Sequence, residues 1–183
     1  MTKLLIIEGQ DRCGKDLLIN SLLNNYPNTK TVHWGFPIGD TNEQRVAYQK
    51  ESFLLNMMQY RVDILKNDLD LVIWNRSHIG ECVYGPLYRN SPADWIFELE
   101  QKYLHDAEIY LVYLYGDTDF LLRNDDGESF TVDIVKKEKE AQLFTEAVDK
   151  SLIAKKLKLK VNNGNNYIDK QRILNTVRDF IGI

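Results

Sequence analysis

Lys3-Leu4-Leu5-Ile6-Ile7-Glu8-Gly9-Gln10-Asp11-Arg12-Cys13-Gly14-Lys15-Asp16-Leu17-Leu18-Ile19 is the stretch from which the rest of the chain is read. Leu4 to Ile7 are four consecutive apolar residues bounded by Glu8-Gly9, the pattern of a short buried strand. From Asp16 onward, Leu17, Leu18, Leu22 and Leu23 recur at helical spacing, with Asn20, Ser21, Asn24 and Asn25 on the other side. Between strand and helix lies Gly9-x-x-x-x-Gly14-Lys15. Its glycines let the backbone curl so that successive N–H groups point inward, and the helix N-terminus adds its dipole. Such a loop cradles phosphate, and Lys15 reaches the terminal phosphates. The pattern ordinarily closes on Ser or Thr, whose hydroxyl holds Mg²⁺; here that position is Asp16.

At 183 residues the chain is long enough for one domain with a full core and too short for two comfortable ones. Lys and Arg number 23 against 27 Asp and Glu, so no overall basic field points to nucleic acid, although a local basic groove stays open. Cys13 and Cys82 provide no disulfide framework and suit a reducing compartment. No apolar run approaches the length of a membrane span, so a cytoplasmic protein without a membrane partner is expected.

In order along the chain, strands and helices alternate. Lys30 to Gly35 is a second strand candidate, and Asn42 to about Lys66 a long helix carrying Val46, Phe53, Leu54, Met57, Tyr60 and Ile64. Leu69 to Trp74 is a continuous apolar run, as expected of a strand covered on both faces. Ser77 to Tyr84 begins a helix that Gly85-Pro86 should cut, and Ala93 to Leu104 is another, with Ser91 or Asp94 available as caps. Glu108 to Tyr115 is the strongest strand by composition. A short helix from Asp117 to Arg123 leads into the polar loop Asn124–Glu128, and Phe130 to about Lys156 reads as a long charged helix. Leu157 to Val161 alternates like an edge strand, and after a turn at Asn162–Asn166 the last helix runs from Asp169 to Ile181.

Five strands separated by helices predict an α/β three-layer sandwich, an open parallel sheet with helices on both faces. Ligands of such sheets bind beyond the carboxyl ends of the strands. Glu8-Gly9, Gly35-Phe36, Asn75-Arg76, Gly116-Asp117 and Asn162-Asn163 should therefore converge on one cleft.

These residues carry a resemblance. Glu8-Gly9-Gln10-Asp11-Arg12-Cys13-Gly14-Lys15 resembles the phosphate loop of thymidylate kinases, in particular the type with Asp-Arg in the loop. Phe36-Pro37 resembles that family's Phe-Pro, Asn75-Arg76 falls where it has Asp-Arg, Tyr84 matches an aromatic that walls the deoxyribose and base, and Asp119 and Arg123 resemble the start of its lid. The resemblance spans nearly the whole chain in the same order. It implies a P-loop NTPase fold of nucleotide kinase type in a single domain over 1–183, with a small lid at about 120–135. It also implies ATP and Mg²⁺ as cofactors, nucleotides as small-molecule partners, and a homodimer among the compatible assemblies.

The resemblance further implies an activity, the phosphorylation of a deoxynucleoside monophosphate, dTMP or a related pyrimidine nucleotide, to its diphosphate. The alternatives are a deoxynucleoside or modified-DNA-base kinase of the same fold, or a nucleotide-binding module with weakened transfer. Lys15, Arg12 and Asp11 would be catalytic: thymidylate kinases take an arginine for the transferring phosphoryl group from the phosphate loop or from the lid, and here Asn124–Ser129 contains no basic residue. ATP would be held by Gly9, Gln10, Asp11, Arg12, Cys13, Gly14, Lys15, Asp16 and Leu17, with Arg123 and Asn163 beside them. The acceptor would be held by Asp11 at the sugar 3′-hydroxyl, Arg76 at the phosphate, Phe36 and Tyr84 as walls, and Arg61 at the base. Relative to the family, positions 16 and 75 have exchanged a carboxylate, so Asp16 is the expected Mg²⁺ ligand with Glu8 supporting its water shell. His78 and Cys82 are too isolated for a zinc site, Cys13 reads as a small residue in a crowded turn, and Lys136–Glu140 as a solvated helix face.

Overall fold

Leu4, Leu5, Ile6 and Ile7 are fully buried because the strand that holds them, β1 (Lys3–Gly9), lies at the centre of the sheet. The computed structural model describes residues 2–104 and 108–183. The elements that follow are α1 (Lys15–Asn25), β2 (Thr29–His33), α2 (Asn42–Lys66), β3 (Leu71–Asn75), a 3₁₀ turn (His78–Gly80), α3 (Glu81–Arg89) and α4 (Trp95–Tyr103). Then come β4 (Ile109–Tyr115), α5 (Thr118–Arg123), α6 (Ile134–Lys150), β5 (Lys155–Lys160), the small hairpin β6 (Asn162–Asn163) and β7 (Asn166–Tyr167), and α7 (Lys170–Ile181). The five long strands are parallel in the order β2-β3-β1-β4-β5. The expected three-layer α/β sandwich is the observed one.

Alternation along β1 sends Leu5 and Ile7 to one face, where α1, α5 and α7 cover them, and Leu4 and Ile6 to the other, under α2, α3 and α6. Strand β5 is an edge, as its alternation predicts, and three of its four lysines are ion-paired: Lys155 to Glu108, Lys158 to Asp149 and Lys160 to Asp117. Helix α2 keeps its expected bounds because a capping box of Thr41 and Gln44 starts it and Asn67, at φ 52°, ends it.

Three expected boundaries are corrected. Helix α3 is not cut at Gly85-Pro86 but runs through to Arg89; a proline there forfeits only one intrahelical bond, and packing of the segment against α6 outweighs that loss. The helix expected over Phe130–Lys156 is shorter at both ends, beginning after Asp133, whose side chain accepts the Lys136 N–H, and ending at Lys150. Helix α4 begins at Trp95 rather than Ala93: Asp94 takes the N-cap position, as expected of it, but makes no side-chain cap hydrogen bond, and Ser91 lies outside the cap.

Candidate active site

The turn from β1 into α1 is set by three backbone positions. Gly9 has φ 152°, and a Cβ there would lie 2.3 Å from the Leu114 carbonyl oxygen of β4, so only glycine fits. Arg12 and Gly14 adopt φ 71° and 75°, which curls the loop around its own amides. Lys15 then folds back beneath the loop, and its Nζ donates to the carbonyls of Gly9 at 2.8 Å and Gln10 at 2.7 Å. Burial lowers the Lys15 pKa, and neighbouring Arg76 pushes in the same direction.

Two cavities open beyond the carboxyl ends of the strands. The larger, about 830 Å³, is lined by every loop residue from Asp11 to Leu17, by Asn75 and Arg76, and by Tyr167 and Lys170. The smaller, about 240 Å³, is walled by Trp34, Phe36, Tyr84 and Phe130, with Gln49, Glu81 and Arg89 among its polar lining. Asp11 and Arg76 line both. Their side chains pair at 2.9 Å, and Arg76 holds φ 65°, strained for a non-glycine residue and located where the cavities join. Burial alone would raise the Asp11 pKa, but the Phe130 N–H and the cations of Lys15, Arg76 and Lys137 outweigh it, so the carboxyl is held below its ordinary value.

The structure brings Asp16 and Asn75 together, with Asn75 Nδ2 donating to Asp16 Oδ1 at 2.8 Å. Asn75 Oδ1 is buried and lacks a partner among the described residues. Asp16 lines the larger cavity, and its carboxylate, oriented by the Asn75 amide, fits the oxygen-ligand chemistry of Mg²⁺. Glu8 does not belong to this set. It lies on the opposite face of β1, buried, accepting from Ser77 Oγ at 2.7 Å and from the Gly80 N–H, and lines neither cavity; desolvation raises its pKa.

Other expected residues are also placed elsewhere. Arg61 points away from both cavities toward the Tyr103 carbonyl, and three turns earlier on α2 it is Gln49 that reaches the smaller one. Arg123 donates to Asn165, and neither it nor Asn163 lines the larger cavity; the hairpin contributes Tyr167 instead, whose hydroxyl donates to the Arg12 carbonyl at 3.0 Å. Gly9 and Gln10 shape the loop from behind, Gln10 by donating to the Lys137 carbonyl and to Glu140. Cys13 is buried, and burial pushes its thiol up to about 11, overriding the helix N-terminus.

The run Lys136–Glu140 is solvated only in part: Lys136, Glu138 and Lys139 are exposed as expected. Lys137 and Glu140 are buried, with Lys137 Nζ 3.8 Å from Asp11 Oδ2 and 3.4 Å from Glu140 Oε2, and Tyr88 donates to Glu140 at 2.6 Å. His78, considered with Cys82 as a metal pair, is instead buried against Glu100 at 2.9 Å.

No family model matches the sequence, and no curated protein does. Solved structures do match in shape. The YorR protein of Bacillus subtilis, in complex with phosphorylated GDP, superposes with a TM-score of 0.68 at 14% identity, over 98% of this chain and 96% of that one. Thymidylate kinase from Candida albicans, whose structure is described as revealing the origin of broad substrate specificity, gives 0.69 at 12% identity, over 99% and 91%. The chain has the thymidylate kinase-like fold of P-loop kinases.

Proposed function

We propose that the protein transfers the γ-phosphoryl group of ATP to the 5′-phosphate of a deoxynucleoside monophosphate, dTMP or a related pyrimidine nucleotide. One observation carries this reading: two unlike cavities, one around a phosphate loop and one walled by aromatic rings, meet at the Asp11–Arg76 pair. Phosphoryl transfer asks a protein mainly to bring two phosphates together under fixed positive charge. The larger cavity suits the triphosphate, with Lys15 at its terminal phosphates and Arg12 at the group in flight. Arg76 suits the acceptor phosphate, which its fork can grip with two parallel hydrogen bonds. Phe36 and Tyr84 flank the nucleoside, and Gln49 and Arg89 stand where a base edge would be read.

Asp16, held in place by the Asn75 amide, would hold Mg²⁺, which when bound neutralises charge on the phosphate oxygens. An oxygen of the acceptor phosphate attacks the γ-phosphorus as the bond to the bridging oxygen of ADP breaks. That oxygen is already anionic at neutral pH, so no side chain need remove a proton. The lowered pKa of Asp11 agrees with this, since it marks a positioning group for the sugar hydroxyl rather than a base.

The test is a panel of nucleosides and nucleoside monophosphates, guanine nucleotides included, incubated with ATP and followed by ADP release. Turnover is expected with pyrimidine deoxynucleoside monophosphates. Release with free nucleosides alone, or with none of the panel, overturns the reading.

A further inference from the structure

The loop 124–133 lies over the phosphate loop through contacts that imitate a bound nucleotide. Arg12 is ion-paired with the carboxylate of Asp126. Asp11 Oδ2 accepts the backbone N–H of Phe130 at 3.0 Å. The Phe130 ring stands among the aromatic walls of the smaller cavity, its centroid 4.5 Å from Tyr88 and 6.0 Å from both Phe36 and Tyr84. An anion thus occupies the arginine, a hydrogen-bond donor occupies the carboxylate, and a flat ring narrows the aromatic cavity from its wall.

The composition of the loop sharpens the point. Asp125, Asp126, Glu128 and Asp133 give it four carboxylates and no Lys or Arg. Asp126 and Glu128 line the larger cavity itself. Negative side chains left there would repel the phosphates of any nucleotide that entered. The Arg12–Asp126 pair is about half exposed on the aspartate side, the kind of contact that a polyanion displaces. Arg12 Nε is also buried and unpartnered among the described residues, so the fork keeps a donor that Asp126 does not use.

We propose that loop 124–133 is a built-in substrate mimic, which holds the site closed when empty and is expelled by the phosphates and nucleoside it imitates. The nucleoside half rests on the function proposed above. The Asp126 half requires only that the loop between β1 and α1 binds phosphates. A site closed about nine-tenths of the time shows an affinity reduced about tenfold, because apparent affinity scales with the open fraction.

The experiment uses inorganic tripolyphosphate, measured by calorimetry, with hydrogen exchange at the Phe130 amide in parallel. Asp126→Asn should bind tripolyphosphate about tenfold more tightly than wild type. Asp125→Asn removes the same charge but not the contact with Arg12, and keeps an oxygen for the Gly127 N–H that Asp125 now accepts; it should stay within about twofold of wild type. Tripolyphosphate should also strip protection from the Phe130 amide in wild type. Phe130→Ala should tighten binding of dTMP. Equal tightening by Asp126→Asn and Asp125→Asn, or no tightening by Asp126→Asn, overturns the mimicry. Weaker dTMP binding by Phe130→Ala makes the ring part of the acceptor wall and overturns it as well. Absence of tripolyphosphate binding in every variant removes the phosphate-loop reading itself, an outcome distinct from unchanged affinity.

Discussion

The two faces of the sheet are built from different side chains, and each face runs out into a different cavity. On one, Leu5 and Ile7 pack with Leu18 and Leu22 of α1 and with Leu174, Val177 and Ile181 of α7, and the same cluster continues through Leu18, Val161 and Ile173 into the wall of the larger cavity. On the other, Leu4 and Ile6 pack with Phe53, Tyr60, Trp74, Tyr113 and Phe144, and the rings continue through Trp34 into the smaller cavity. The first face is mostly aliphatic, with Tyr110 and Phe120 its buried rings, and contributes chiefly area. The aromatic face contributes rings of defined orientation, such as Tyr113 stacked on Phe144 with centroids 5.7 Å apart, and it buries polar groups that must be paired: Glu8 with Ser77, and His78 with Glu100. A face that has to present a shaped slot to a ligand takes on the desolvation costs of polar anchors. The face that backs the phosphate loop keeps its buried polar groups to the loop end, as with Lys15.

The largest test of this division compares core truncations on the two faces. Phe144→Ala should destabilise the protein by about 3–5 kcal/mol and also raise KM for the acceptor, because the Phe144 ring buttresses Tyr84 edge-on at 5.9 Å. Leu174→Ala should cost about 2–5 kcal/mol yet leave acceptor KM unchanged, since nothing on α7 reaches the smaller cavity. Denaturant unfolding and steady-state kinetics on both variants decide it. An equal rise in KM for the two would mean that the faces are not separate in function.

Next comes Lys15→Ala, on the side backed by the aliphatic face. Loss of this charge should raise the barrier to transfer by about 2–4 kcal/mol while the cooperative unfolding transition persists, since Lys15 makes its hydrogen bonds within the loop rather than across the core. Rapid turnover by a well-folded variant would break the assignment of the larger cavity to the donor.

The sequence is legible where one element decides its own fate. The strand–glycine–lysine–helix stretch and the continuous apolar strands are local signals, and the observed fold follows them. It is illegible where a neighbour distant in sequence decides. Arg61 and Gln49 lie on the same helix, and periodicity says which positions face inward but not how far along the helix the cavity extends. Lys137 sits in a run of charges that reads as solvated, and it is buried only because Gln10 and Asp11 of the phosphate loop lie against it. The helix expected from Phe130 starts only after Asp133, and the Phe130 ring instead lies in the wall of the smaller cavity, 4.5 Å from Tyr88. Tyr84 and Phe36 needed the family resemblance to be noticed, because an aromatic in a cavity wall and one in a core have the same sequence signature.

A third test addresses the polar anchors of the aromatic face. Glu100 accepts from Ser151 Oγ at 2.8 Å and the Leu152 N–H at 2.6 Å, besides its contact with His78. Burial would raise its pKa, but His78 and these donors outweigh burial and hold it below the ordinary 4.5. A carboxyl depressed on folding adds stability above its unfolded value, and that stability is lost as pH falls through the folded value. Glu100→Gln should cost about 1–3 kcal/mol at pH 7. The gap to wild type should narrow below pH 4.5, because the glutamine has no proton to take up. Acid unfolding followed by circular dichroism from pH 7 to pH 3 reads this, and a gap independent of pH would show that packing rather than charge anchors the face.

The smallest effect is expected where the larger cavity meets the end of β3. Asp16 and Asn75 share one hydrogen bond of 2.8 Å, and the pair carries one carboxylate and one amide. Exchanging them, Asp16→Asn together with Asn75→Asp, preserves the bond with donor and acceptor reversed and leaves the same charge at the same place. Stability should therefore stay within about 1 kcal/mol of wild type, the net worth of one such bond. Affinity for Mn²⁺, used as a spectroscopic probe in place of Mg²⁺, should change little. Each single change does worse. Asp16→Asn leaves two amides and no charge for a divalent cation, and Asn75→Asp sets two carboxylates at hydrogen-bond distance, where they repel. Paramagnetic resonance of Mn²⁺ and melting curves on the four proteins give the cycle. If the double variant binds Mn²⁺ no better than the weaker single one, charge at this spot is not interchangeable between helix and strand. The loop side of the site would then depend on direction as strictly as the aromatic side, and the contrast between the faces would end at the cavity mouth.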